Sequence, residues 1–338
     1  MLASQKTKFS SNIISDLINH HYTPLMKEFY EMQCVFLSSR YQLHQSIETS
    51  NILISLAAST HLSIIRLRES NLDHDISLNN FFSNLKNLTE NEKISHRIVT
   101  IVEKTGIPKE TVRRKLNKLI QKEFVIANKY KEYYWSISLK RKENFLKIMK
   151  SDVKALSKFI FSITKYLNMN INQKIIEEEI EGQFSFYFYH YLNCQLGWLK
   201  MWQNKIKDVD LIFITMQVLI PTLEYFDKKI NVKSLGLDNL HTLIGRTNHQ
   251  YRFSDSTVNA SSISEISGIP RATCIRKLDK LVKLGFLMRE AKTKRYYVSQ
   301  LTNERTKYIT QKENVIYTIQ SFSDFLSIVV NALIRNFR

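Results

Sequence analysis

Val112, Leu116, Leu119 and Ile120 recur at helical spacing among charged neighbours, which makes one face of the segment apolar and leaves the rest polar. Cys274, Leu278, Leu281 and Val282 draw the same stripe again. Ahead of the first stripe, Ile98, Ile101 and Val102 mark the buried face of a short helix ending near Lys104. Gly106 can then take a left-handed turn at little steric cost, and Pro108 suits the first turn of the next helix, where its missing N–H is not needed. Downstream, Phe124 to Ala127 and Tyr133 to Ile137 have the β-branched and aromatic character of strands, with polar Asn128 to Glu132 between them. Phe286 to Arg289 and Tyr296 to Val298 repeat this around Glu290 to Arg295. The pattern predicts helix, turn, helix and hairpin, twice over.

The recurrence extends to residue identity. Over positions 106–125 and 268–287, ten of twenty residues are identical, Gly106/Gly268, Thr111/Thr273, Lys115/Lys277 and Phe124/Phe286 among them. A fixed period of this kind signals repeated architecture. Longer helices are predicted around 28–47 and 50–69, and again around 185–205 and 209–228. Setting Cys34 beside Cys194 places Arg40 with Lys200 and Glu48 with Asp208, an offset of 160 against 162 in the basic segment, which two residues in the intervening loop would reconcile. Two halves are expected: 1–165, with its helix-and-hairpin unit at about 92–139, and 166–338, with its unit at about 257–300.

Composition sharpens this picture. A chain of 338 residues has room for two domains, and 43% hydrophobic residues can fill their cores. Of seven glycines and four prolines, two of each fall in the repeated Gly-Ile-Pro, so the rest has little helix punctuation and should be mainly α. The formal charge of +18 is concentrated: residues 106–122 carry six basic side chains against one acidic, and 268–284 carry five against one. Such clustering favours a polyanionic partner. The acidic run Glu177 to Glu181 reads as a solvated helix face.

Other chemistry finds little support. Cys34, Cys194 and Cys274 form no bridge framework and no Cys-x-x-Cys, which suits a reducing cytoplasm. His190 and Cys194 lie one helical turn apart with no second ligand pair, and His20, His21, His241 and His249 have no nucleophile or carboxylate at a readable spacing. Gly-rich phosphate loops are absent. The sequence therefore gives no support for an enzyme, a cofactor or a metal. The aromatic run Phe184 to Tyr191, without neighbouring cations, should pack in the core rather than stack bases. The longest apolar run, Leu211 to Leu223, is interrupted by Thr215, Gln217, Pro221 and Thr222 and reads as too short for a bilayer of about 30 Å, so the chain is expected to be soluble and cytoplasmic, with no membrane partner.

Helix, Gly-Ile turn, Thr-containing basic helix, Phe-led strand and basic hairpin together resemble a winged helix-turn-helix. The string Thr105 to Leu116 is similar to the recognition helices of GntR-type and MarR-type bacterial transcription regulators. The resemblance covers about 45 residues in each copy and implies two winged helix-turn-helix domains, joined and flanked by long helices, in a pseudo-two-fold internal duplication. In such regulators the recognition helix lies in the major groove with its amino-terminal residues at base edges. Carried over, the implied base readers are Lys109, Glu110, Thr111 and Arg113 in the first copy and Arg271, Ala272, Thr273 and Ile275 in the second. Arg114, Lys115 and Lys118, with Arg276, Lys277 and Lys280, would meet phosphates; Lys129, Lys131, Lys292, Lys294 and Arg295 are the wing cations.

The first copy departs from the pattern twice. Glu123 stands where Gly285 provides a left-handed cap, so that turn is expected to be distorted. Val102 replaces a small residue such as Ser264, which would loosen the first helix pair.

The resemblance implies a nucleoid-associated regulator that binds double-stranded DNA sequence-specifically as a single-chain pseudo-dimer, monomeric or weakly self-associating, and leaves a small-molecule effector open. Two other readings stay in play. A plasmid-type replication initiator with tandem winged helices would bind iterated origin repeats, and a nucleoid-type binder would show no sequence preference.

Overall fold

The computed structural model describes residues 8–229, 235–240, 256–298 and 312–336. His241 and His249 lie outside the described residues. The chain is mainly helical, in the order α1 (Ser11–His20), α2 (Tyr22–His44), α3 (Ile47–Ser70), α4 (Phe81–Asn87), α5 (Ile98–Thr105), α6 (Lys109–Gln121), β1 (Val125–Ala127), β2 (Tyr133–Trp135) and α7 (Lys142–Tyr166). It continues as α8 (Gln173–Gly182), α9 (Phe184–Ile206), α10 (Val209–Lys229), α11 (Ala260–Ser267), α12 (Arg271–Lys283), β3 (Leu287–Arg289), β4 (Tyr296–Val298) and α13 (Lys312–Asn336).

The second series starts each element 162 positions after the first: Ser11 and Gln173, Tyr22 and Phe184, Ile47 and Val209, Ile98 and Ala260, Lys109 and Arg271, Val125 and Leu287. One offset therefore runs from α1 to β1, and the expected 160-residue alignment of Cys34 with Cys194 is corrected. Cys34 is level with Leu196, and Glu48 with Asp210 rather than Asp208. No loop adjustment is needed before the hairpins. There the second loop is one residue longer, and α13 begins 170 positions after α7, each with Lys-Glu-Asn.

Local chemistry sets these boundaries. Side chains of Ser10 and Asn172, at matching positions, accept from the Ile13 and Ile175 amides and open α1 and α8. Gln45 and Lys207 take left-handed backbone at φ 54° and 52°, turning α2 into α3 and α9 into α10. The two hairpins are antiparallel, pairing Val125 with Trp135 and Leu287 with Val298. Each also bridges to the segment before its first short helix, through His96 to Tyr133 and Val258 to Tyr296.

The long helices pack across the halves. α2 lies against α10 and α3 against α9, while α1 rests on α13 and α8 on α7. The aromatic run of α9 is in this core, with Phe184, Tyr187, Phe188 and Tyr191 all buried. The short helices follow the same rule, since α5 docks on α9 and α11 on α2. Among the described residues three helices, Ile47–Ser70, Val209–Lys228 and Glu313–Asn336, are long and apolar enough to cross a membrane by length and composition, so the Leu211 to Leu223 run belongs to a longer apolar helix than the run alone suggests. Helical continuity through Pro221 carries the apolar stretch past the interrupting residues. Most of the first two of these helices is buried inside the protein.

Gly106 and Gly268 each combine two demands. Their φ angles of 70° and 71° disfavour any side chain, and each faces the central helix of the other half. A β-carbon at Gly106 would lie 2.8 Å from Asn204 Oδ1, and one at Gly268 would lie 2.6 Å from Gln42 Cγ. Gln42 and Asn204 are themselves equivalent positions. Gly268→Ala should therefore lose stability on both counts, with about 1–2 kcal/mol from the backbone alone. In urea denaturation, adding Gln42→Ala should recover the contact part and leave the backbone part.

Buried histidines give a second expectation. Burial lowers His61 to about 3, and burial with nearby Lys104 lowers His96 to about 4. Both are neutral in the folded chain but protonate near pH 6.5 when unfolded. Their contribution to stability is therefore complete above that pH and is lost as pH falls toward 4. Stability from urea denaturation should fall between pH 7 and pH 5, with a slope that approaches about 1.4 kcal/mol per pH unit for each histidine once pH is well below 6.5. His61→Phe should make the slope shallower.

Candidate nucleic-acid interface

The turn between α5 and α6 is locked by one hydroxyl. Thr105 Oγ1 donates to the Ile101 carbonyl at 2.7 Å and accepts from the Ile107 amide at 3.3 Å. Ser267 does the same between Ile263 and Ile269 at 2.6 and 3.0 Å. With the turn fixed, Val112, Leu116 and Leu119 of α6 and Cys274, Leu278 and Leu281 of α12 are buried inward. Their opposite faces are left to solvent.

Those faces carry most of the expected residues. Lys109, Glu110, Arg113, Arg114 and Lys118 are exposed on α6, and Arg271, Ala272, Arg276 and Lys280 on α12, whereas Thr111, Thr273 and Ile275 are half-buried. The hairpin cations Lys129, Lys131, Lys292, Lys294 and Arg295 are exposed as well. Arg113 pairs with Glu110 at 2.6 Å, and Arg271 donates to Ser261 Oγ at 3.0 Å. The Arg113 pair is solvent-exposed and costs little to break.

Lys115 and Lys277 are placed differently from the other cations. The Lys115 ammonium donates to Ser46 Oγ at 2.9 Å and Thr49 Oγ1 at 3.0 Å, and lies 3.4 Å from Glu48. Lys277, at the matching position, lies 2.7 Å from Asp208 and 3.1 Å from Asp210. Their side chains are only 14% and 12% exposed. Burial works against the charge of Lys277, but Asp210 and Asp208 outweigh it and hold its pKa above the ordinary value. These two lysines tie α6 and α12 to the starts of α3 and α10. Lys280 reaches Asp208 too, at 3.4 Å, yet stays half-exposed.

An open groove along α6 adds residues that the sequence reading passed over. Asn117 and Gln121 line it with Arg113, Arg114 and Lys118. Their spacing of one and two turns from Arg113 was the available signal. At the position matching Asn117, Asp279 accepts from the Tyr296 hydroxyl at 3.0 Å and sits 3.7 Å from Arg289, so its charge is countered.

Glu123 keeps the turn that Gly285 makes, without the expected distortion. Its φ is 58° against 83°, and the bonds Phe124 N to Leu119 O and Phe286 N to Leu281 O are both 2.9 Å. The departure is absorbed as a left-handed glutamate. Ser264 Oγ donates to the Ile269 carbonyl at 2.7 Å, a bond that Val102 cannot make.

Among the described residues no three His, Cys, Asp or Glu side chains are grouped to hold a metal. The arrangement offers two ridges of cations and hydrogen-bonding side chains, each on a helix braced from behind. No protein-family model, curated protein or solved structure matches this chain.

Proposed function

We propose that this chain is a double-stranded-DNA-binding transcriptional regulator, built by internal duplication of a winged helix-turn-helix half and acting as a single-chain pseudo-dimer in the cytoplasm. The observation that carries the reading is the twofold occurrence of one surface: an exposed basic helix, inward lysine and basic hairpin in matching surroundings. Two such heads on one shared helical core suit two half-sites of one operator. Arg113, Lys109 and Thr111 in the first head, and Arg271 and Thr273 in the second, are the proposed base readers, with Asn117 and Gln121 beside them. Arg114, Lys118, Arg276, Lys280 and the hairpin cations are proposed for phosphates. Lys115 and Lys277 are assigned to bracing. Burial of α3 and α10 against other helices supports a location off the membrane.

Selection of bound sequences from a random duplex pool, followed by footprinting, tests the reading directly. One protected site with two half-sites supports a regulator, iterated repeats support an initiator, and uniform protection supports a non-specific binder.

Lysines separate by role under substitution. Lys118→Ala should weaken binding to all sequences and reduce the salt slope by about one unit, since each neutralised phosphate contributes about 0.9. Lys115→Met should leave that slope almost unchanged and instead lower stability by about 1–3 kcal/mol, because Glu48 loses its buried partner.

The heads differ where bases would be read. Arg113 can grip guanine, whereas Ile275 at the matching position offers apolar contact, for instance to a thymine methyl. The selected site should therefore be an imperfect palindrome. Arg113→Ile should shift one half-site toward the other, with a change of about 1–3 kcal/mol in competition binding. Symmetric sites that Arg113→Ile leaves unaltered would remove base reading from this helix.

A further inference from the structure

The two halves provide an internal control for one cavity. In the first half a partly open cavity is bounded by α2, α3, α7, α9 and the first hairpin, with Leu53, Ala57, Trp135 and Phe145 among its walls. Arg40, His44 and His61 are its ionisable lining. The corresponding space in the second half is lined by Trp202, Ile212, Thr215, Leu219 and Val315, at the positions of Arg40, Ser50, Leu53, Ala57 and Phe145. Ile206 and Leu223 stand at the positions of His44 and His61, and Phe322 at that of Asp152.

Nearly every polar group of the first cavity region thus has an apolar counterpart in the second. Fold alone does not require them, because the second half builds the same helices without them. Keeping them is costly. Asp152 is fully buried, and burial pushes its carboxyl above the ordinary value despite Arg40 beside it. His61 is 1% exposed, and its Nδ1 has no hydrogen-bond partner. An unpartnered buried polar atom is a cost that a polar group reaching it from the cavity would remove.

The lining fixes the chemistry of that ligand. Arg40 is held bidentately by Asp152 at 3.1 and 2.7 Å, with its guanidinium 3.4 Å over the Phe36 ring, so no uncompensated charge faces the cavity. His61 is neutral and stacks on Phe81 at 4.9 Å. A hydroxyl can donate or accept and so satisfies either tautomer of the imidazole. About 60 Å³ is open to the centre of a water-sized sphere, room for roughly four waters or one small ring.

We propose that the cavity bounded by Arg40, His61, Ala57 and Trp135 is a binding site, present once per chain, for a small uncharged aromatic molecule bearing a single hydroxyl. The site lies against the first hairpin through Trp135, and His44 at its edge packs on Phe124, the residue that leads that hairpin, at 4.7 Å. Occupancy therefore bears on one basic head and not the other.

Titration of the full-length protein with phenol, read by calorimetry and tryptophan fluorescence, tests the site, with benzene and benzoate as comparison probes. Phenol should bind saturably at one per chain and more tightly than either. Ala57→Leu, which installs the second half's residue, should weaken phenol at least about tenfold with helical circular dichroism intact, given the cavity volume it removes. His61→Leu should still bind benzene but lose the preference for phenol over benzene, a change of about three- to tenfold. The proposal is overturned if the wild type shows no saturable phenol binding, if benzoate binds better, or if a folded Ala57→Leu binds phenol unchanged. Should Ala57→Leu fail to fold, the phenol preference of His61→Leu decides. The readout involves no nucleic acid, so failure here leaves the DNA reading standing, and the reverse holds too.

Discussion

Burial of each half's long helices by the other half is the constraint on which the rest of this structure depends. Among the described residues α2 packs most extensively on α10 and α3 on α9, so each pair of long helices is covered chiefly by the other half. An isolated helix pair of this kind would expose much of the core it was meant to form. The arrangement also reaches the surface elements. α5 rests on α9 and α11 on α2, with the close approaches at Gly106 and Gly268 fixing where each turn sits. The helix that follows each turn is thus aimed by the partner half, which fixes where each exposed basic face lies on the helical core.

Ion pairing finishes what packing begins. Lys115 with Glu48 and Lys277 with Asp210 brace α6 and α12 against α3 and α10, the helices whose other sides are occupied by α9 and α2. A displacement in the core would pass to the basic helices through these contacts. The halves keep this bracing while differing elsewhere. Glu123 bears a left-handed backbone that Gly285 holds freely, and the Arg40 and Asp152 pair stands where Trp202 and Phe322 fill space.

Much of the local structure was legible in the sequence, and much of the long-range structure was not. Periodicity of Val112, Leu116 and Leu119, the Gly-Ile-Pro turn and the strand character after Phe124 all report interactions within a few residues of each other, and the elements formed there. The bracing role of Lys115 was half-visible: it lies three residues after Val112 and four before Leu119, at the edge of the buried stripe. Its partners, Ser46 and Glu48, are some seventy residues away, where no spacing rule reaches. The 160-residue alignment failed because Cys34 and Cys194 match by coincidence of type, whereas helix starts are set by caps and turns such as Ser10 and Asn172. Pairing between halves was invisible for a similar reason, since an apolar face does not name what covers it.

The interlocked helices carry a consequence for synthesis. α2 and α3 leave the ribosome about 160 residues before α9 and α10 exist to cover them. At about 5–20 residues per second, their apolar faces wait on the order of ten to thirty seconds. A chain of independent tandem domains would have folded its first unit during that interval. Here the faces of α2 and α3 that α10 and α9 cover stay open until the carboxy-terminal half emerges, even though α7 can already pack on α2.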